Sequence, residues 1–451
     1  MENSNSTKNK KVAVVGAGIA GLTAAYELQK AGFEVRVFES EATAGGRIKT
    51  DIHDGLAFDK GTNWFVENYS SIKKYAGEFG IPWFSSKPEG VQRVVRGGEP
   101  KSLNISSATD VMRFDVLSPW ARVKFFFWLI KLWFGRSGTD FYELSKLPES
   151  MDFDNADHYL RTRVHPEVAD YVADPFTAAM QFHRCKEIST SALFAIMKPM
   201  IMPNGGFEVR YTKGGVGSVP MEMAKSLNIK YSLPVTKVFS RDGSVEITAG
   251  SEVEKFDAVV IAAPARAVSE MLSAKTPALN KVLQTVQYTS TIVLCAKVPE
   301  EWFTDNAHVT YIPFIESDII ASYSNESRKG DLCCAGGMTH MLIYLYDGAA
   351  KNLMEKSDGE VWNEVLKELP RVCREYRGHE EELEQVTLWR WKEAMPKFDH
   401  GYLSLVKKFE ETEQGQNNLF FAGDYLNAPW AEGACRSGQR AASLIVERFM
   451  L

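Results

Sequence analysis

A chain of 451 residues, 45% hydrophobic and 24% charged with a net charge of −6, is long enough for about two or three globular domains. The acidic balance argues against nucleic acid and strongly anionic partners. A small-molecule substrate is the expected partner, and the oligomeric state is left open. Six cysteines (Cys185, Cys295, Cys333, Cys334, Cys373 and Cys435) form no C-x-x-C pair and no metal-ligand spacing with histidine. They read as free thiols of a cytoplasmic protein without a metal site. Residues 1–10, MENSNSTKNK, are polar throughout and read as a disordered tail, not a signal peptide.

The next segment carries the sharpest pattern. Val12–Val15 is an apolar run suited to a buried parallel strand, and Gly16, Gly18 and Gly21 follow as G-x-G-x-x-G. Leu22–Lys30 are good helix formers that Gly32 stops, and a second strand, Val35–Phe38, ends at Glu39; Ile19, Ala20 and Ser40 are also expected at the ligand. Gly16 permits a tight turn, Gly18 lets backbone approach a pyrophosphate, and Gly21 lets helix and strand pack closely. The helix N-terminus faces phosphate charge with unpaired N–H groups. A carboxylate at position 39 accepts ribose hydroxyls and disfavours a 2′-phosphate, so NADP is not the expected ligand. Glycines at this spacing also occur in ordinary turns. Here the strand before, the helix after and the acid at the right distance agree on a dinucleotide, NAD or FAD.

Gly45-Gly46-Arg47 comes soon after, with Gly61-Thr62-Asn63-Trp64 further on. The glycines allow a second loop to press its amides onto the pyrophosphate, and Arg47 offers charge-assisted hydrogen bonds. With these residues the chain resembles the FAD-containing amine oxidase superfamily, which includes monoamine oxidases, protoporphyrinogen oxidases and carotenoid desaturases. The resemblance implies FAD. It also implies an α/β fold in which a Rossmann-like, glutathione-reductase-type dinucleotide domain is interleaved with an α+β substrate domain. The implied FAD-binding segments are 11–90, 206–278 and 398–451. Those of the substrate domain are 91–205, mostly helical, and 279–397, mostly sheet.

Trp120–Phe134, WARVKFFFWLIKLWF, is too short and too charged to span a membrane. It reads either as a helix buried in the substrate domain or as a peripheral membrane contact, aromatics inserted and Arg122, Lys124 and Lys131 snorkelling. Asn204-Gly205-Gly206 marks a break, after which the glycine turn near Gly214–Gly217 opens a helix. Family likeness implies that this turn returns the chain to the flavin domain, and that Val235 contacts adenine through its backbone. Ala258–Ile261, followed by Ala262-Ala263-Pro264, reads as a buried strand ending beside a dinucleotide or as a plain core strand. Strands are expected at Thr291–Val298, Met341–Tyr346 and Val386–Trp391, with one helix near 358–376.

The C-terminus reads as a strand, a Gly423-Asp424 turn, and a helix starting near Glu432-Gly433-Ala434. A helix N-terminus there stabilises negative charge on the pyrimidine end of a reduced flavin, and Asp424 is expected to hydrogen-bond the ribityl or pyrophosphate region. Family members use a matching glycine-acid strand end and E-G-A helix start for FAD. Trp391, five residues before Pro396, is similar to a protoporphyrinogen oxidase tryptophan near the flavin, as Phe58-Asp59-Lys60-Gly61 is more loosely. A packed core tryptophan is the competing reading.

Two departures restrict the chemistry. Val293 stands about where amine oxidases carry a lysine bridged by water to the flavin. The aromatic cage for an amine is incomplete, with Trp391 as one wall and Tyr425 or Trp430 as the other. With no cysteine between Cys373 and Cys435, FAD is expected to be non-covalent, and His400 reads as an exposed loop residue. Three readings follow. The first is an FAD-dependent oxidase or dehydrogenase of the protoporphyrinogen oxidase and desaturase type, taking hydride from an apolar or cyclic substrate. The second is a flavin amine oxidase. The third is a flavin-dependent isomerase or a non-catalytic flavin-binding partner, with no net redox turnover.

Overall fold

The computed structural model describes residues 10–53, 55–85, 92–105, 107–135, 140–201 and 208–450. The expected tail, apart from Lys10, and the Asn204-Gly205-Gly206 break lie outside the described residues.

Five parallel strands form the first sheet, in the spatial order Ile229–Lys230, Glu34–Phe38, Lys11–Val15, Ala258–Ile261, Leu419–Phe421. Val12 and Val14 pair with Val35 and Val37 on one side and with Ala258 and Val260 on the other. Both faces are covered, so Val12–Val15 is an unbroken buried run where a half-exposed strand would alternate. The first helix, Ile19–Lys30, buries Leu22, Thr23, Ala24, Ala25 and Leu28. It lies so close to the last helix, Ala431–Met450, that a Cβ on Gly438 would sit 2.1 Å from the Ala20 carbonyl oxygen. A three-stranded antiparallel sheet, Val235–Arg241, Ser244–Ala249 and Glu252–Phe256, flanks this domain.

The second sheet has seven strands, in the order Glu384–Pro396, Tyr288–Pro299, Met338–Leu345, Ile320–Asn325, Val309–Tyr311, Gln92–Arg96, Glu99–Leu103. All its pairings are antiparallel except that of Val309–Tyr311 with Gln92–Arg96. The helix expected near 358–376 is Asp358–Val372. The Gln92–Leu103 hairpin falls in a region expected to be mostly helical. Its turn explains it: Gly97 and Gly98 both have positive φ, as a two-residue hairpin loop requires. The result is an α/β protein with a Rossmann-like dinucleotide unit interleaved with an α+β unit.

The aromatic segment is the helix Pro119–Phe134, N-capped by Ser118. One side of it packs inward and the other is open. Ala121, Phe125, Trp128, Leu129 and Leu132 are buried, while Trp120 (61%), Phe127 (63%) and Phe134 (79%) are exposed. Buried Lys198 fixes the exposed end by donating to the carbonyls of Leu132, Trp133 and Gly135 at 2.8, 2.6 and 3.2 Å, satisfying acceptors that a helix C-terminus leaves open. No helix among the described residues is long and apolar enough to cross a membrane.

Candidate active site

One cavity of about 1130 Å³ is lined from both sheets. That is just above the ~300–1,000 Å³ of a pocket for one drug-sized ligand, as a larger dinucleotide requires. Gly16, Gly18, Ile19 and Ala20 form one wall with Glu39, Ser40, Gly45, Gly46 and Arg47. Gly45 bridges to Gly18 and donates its N–H to the Ala17 carbonyl at 2.8 Å, so the two glycine loops are one surface. Glu39 is part of that scaffold: Oε2 accepts from Ala17 N at 2.6 Å, and Oε1 accepts from Glu41 N at 2.9 Å and Ser40 Oγ at 3.2 Å. One acceptor position on Oε2 remains for a ligand hydroxyl. Gly18 caps the first helix without a side chain, leaving the leading N–H groups to an anion.

Val235 and Ala263 continue this wall, and Gly61, Thr62, Asn63 and Trp64 form the loop that joins it to the substrate half. Gly423, Asp424, Tyr425, Trp430 and Ala434 close the far side, where the last helix begins at Ala431. Trp391 enters from the long strand Glu384–Pro396, held by its indole N–H donating to the Lys60 carbonyl at 2.8 Å. Trp391, Tyr425 and Trp430 therefore share one cavity. The Tyr425 hydroxyl is buried, with no hydrogen-bond partner among the described residues. His400 is exposed.

Gly21 lies off the cavity wall and does the packing expected of it, since a Cβ there would sit 1.9 Å from the Gly16 carbonyl oxygen. Four other residues expected at the cofactor are placed differently. Glu432 and Gly433 are off the cavity wall too. The fully buried Glu432 carboxylate turns away to accept from Ser71 N at 2.9 Å and Ile72 N at 3.1 Å, capping the helix Ser70–Glu78, and pairs with Arg436 at 2.7 Å. Gly433 packs on Ala428, leaving no room for a Cβ. Arg47 lines the cavity, but its guanidinium is committed to Asp424 at 2.8 and 2.9 Å and to the Ala394 carbonyl at 2.7 Å. Burial alone would lower the Arg47 pKa; Asp424 outweighs it and keeps the group charged. Asn63 lines the cavity with its amide facing away, donating to Glu326 at 2.9 Å and Ser324 at 3.2 Å.

Behind Asn63 lies a buried ionic cluster with no sequence signature. Lys329, 1% exposed, donates to Asp59 at 2.6 Å, to Glu326 at 2.7 Å and to the Asn63 carbonyl oxygen. Burial pulls its pKa down, and the two carboxylates more than reverse this. Burial raises that of Glu326, but Lys329 and His308 outweigh it and hold the carboxyl below the usual range. Asp59 in turn accepts from Val216 N at 3.1 Å. The cluster thus ties the 59–63 loop and the chain's return to the first domain onto the second sheet.

The substrate half of the wall is mostly apolar, with Met180, Phe182, Val293, Tyr344, Leu388 and Trp389 beside Thr291, Ser322 and Arg390. Phe182 follows the helix Asp174–Gln181 with φ 65° and ψ 5°, a left-handed conformation that costs a bulky side chain about 1–2 kcal/mol. Its ring lies nearly parallel to that of Tyr344, at 15° and 6.0 Å between centroids. Sequence reading missed this residue, since a phenylalanine after a helix gives no left-handed signal.

Residues 19–446 match the sequence profile of the family described as flavin containing amine oxidoreductase. The chain belongs to the flavin-containing amine oxidoreductases. Among curated relatives, the mitochondrial protoporphyrinogen oxidase of Nicotiana tabacum is 25% identical, covering 97% of this chain and 95% of that one. The coproporphyrinogen III oxidase of Bacillus subtilis is 23% identical, covering 90% and 91%. A solved putrescine oxidase variant shares the fold with a TM-score of 0.77 and 19% identity, covering 97% of this chain and 99% of that one. The protein is an FAD-dependent oxidoreductase.

The residues present fit that cofactor. Two helix N-termini, at Ile19 and Ala431, open on one cavity, suiting the pyrophosphate and the pyrimidine end of the flavin. Glycine loops supply backbone amides, and Glu39 keeps a free acceptor.

Proposed function

We propose that this oxidoreductase oxidises a porphyrinogen, with FAD held non-covalently. The carrying observation is the substrate wall, mostly aliphatic and aromatic, with Met180, Phe182, Val293, Tyr344, Leu388 and Trp389. Full-length likeness to two porphyrinogen oxidases supports the same reading. Non-covalent attachment is supported because no cysteine or histidine lines the cavity among the described residues.

Bound FAD supplies the two-electron acceptor. The chain's own contribution is positioning and exclusion of water. Trp391, pinned to Lys60, and Trp389 hold the substrate side. Arg47, held by Asp424 and the Ala394 carbonyl, is a fixed charge between the halves. The proton lost from substrate leaves to solvent or to a substrate nitrogen.

Anaerobic mixing tests the reading. Protoporphyrinogen IX or coproporphyrinogen III bleaches the yellow enzyme, and porphyrin fluorescence grows in. Bleaching by putrescine or an L-amino acid alone supports an amine oxidase caged by Trp391 with Tyr425 or Trp430, and product without bleaching supports an isomerase. Heat-denatured protein releases free FAD into the supernatant if attachment is non-covalent.

The exposed face of Pro119–Phe134 is proposed as a peripheral membrane contact. Trp120, Phe127 and Phe134 insert, with Arg122, Lys124 and Lys131 at the headgroups. Co-sedimentation with anionic vesicles checks this, and serine at those three aromatic positions abolishes it.

A further inference from the structure

We infer that Phe182 is a specificity-determining residue, kept for its ring on the cavity wall at the expense of the fold. Its substrate class, an apolar ring system packed against Phe182 and Tyr344, rests on the porphyrinogen reading above. Three consecutive residues carry unfavourable features here. Gln181 is fully buried, and neither its amide oxygen nor its nitrogen has a partner among the described residues. Phe182 is left-handed, where glycine or asparagine is the usual choice after a helix. His183 is buried with Nε2 unpaired.

The surroundings hold this segment in place. The Phe182 N–H donates to the Ala178 carbonyl at 2.7 Å, and its own carbonyl accepts from Asp347 N at 2.8 Å. Unsatisfied buried groups and strained backbone collect where function demands a geometry that stability alone would not select. The ring is only half-buried, yet lies nearly parallel to Tyr344 with Val293 and Trp389 in the same apolar cluster. It therefore meets the cavity more than it fills a core.

Two variants separate the roles. F182G and F182A both delete the ring, but only glycine relaxes the backbone. FAD-loaded F182G is expected to melt at or above wild type and above F182A. In both variants KM for protoporphyrinogen IX rises about tenfold or more while kcat stays within about twofold, as for lost apolar contact made equally to ground and transition states. Titration with the product, protoporphyrin IX, followed by fluorescence, weakens in parallel. Melting of F182G well below wild type shows that the ring holds the fold, and overturns the inference. Unchanged KM and porphyrin binding overturn it equally. A wild type that protoporphyrinogen IX does not bleach overturns the porphyrinogen reading and the ring-system class with it. F182G melting at or above wild type would even then assign the ring to the pocket.

Discussion

The two walls of the cavity are built by different rules. On the dinucleotide side the contacts are backbone on backbone: Gly45 against Gly18, Gly21 against Gly16, and Gly438 against Ala20. On the substrate side they are side chain on side chain: Lys329 with Asp59 and Glu326, and Phe182 beside Tyr344. On the dinucleotide side Gly16, Gly21, Gly45 and Gly438 leave no room for a Cβ. The substrate side tolerates new shapes and not a missing charge. Shared cofactor binding with freely varied substrate chemistry follows from that division.

The largest test of this contrast is Gly21→Ala. Its Cβ would meet the Gly16 carbonyl oxygen at 1.9 Å, so the purified protein is expected to lack flavin absorbance; stoichiometric flavin in it would break the steric account. Next is Lys329→Met, which leaves Asp59 and Glu326 buried without their cation. Urea denaturation should show a loss of about 3–5 kcal/mol. A near-neutral result would mean the cluster does not tie the halves together.

A smaller effect concerns pH. Burial, helped by nearby Lys397 and only partly offset by Glu187 and Asp347, lowers the His183 pKa from 6.5 to about 4. The unfolded chain therefore binds the extra proton first. Stability is full above pH 6.5 and falls toward pH 4, by up to about 1.4 kcal/mol per pH unit from this group. His183→Leu should flatten the melting profile in that window; an unchanged slope assigns the acid sensitivity elsewhere. The smallest expected effect is Glu432→Gln. It keeps an acceptor for the helix at Ser70 but loses the charge paired with Arg436, costing about 1–2 kcal/mol. Flavin content should not change, and loss of flavin would return Glu432 to the cofactor side.

The same contrast decides what was legible in the sequence. Close backbone packing needs glycine at fixed spacing, so Gly16, Gly18, Gly45 and Gly46 announce their wall locally. Val12–Val15 announces a strand covered on both faces in the same way. Glu432 misled because a pattern around a helix start does not say where its carboxylate points; its partners Ser71 and Ile72 are about 360 residues away in the chain. Asp59 stands in a recognisable stretch, but its pairing with Lys329, 270 positions away, leaves no trace, since long-range ion pairs impose no spacing. Phe182 was hidden for the opposite reason: its backbone departs from what its residue type favours. The Gly97-Gly98 turn was legible, and the helical expectation passed over it.

The lock between the first and last helices bears on how the protein is made. The central strand Lys11–Val15 leaves the ribosome early, but its sheet is completed only by Leu419–Phe421 and its first helix is covered only by Ala431–Met450. The seven-stranded sheet, whose strands all lie between Gln92 and Pro396, is fully synthesised before either. During translation the substrate half is thus ready to fold while the nucleotide half still waits with an exposed apolar helix.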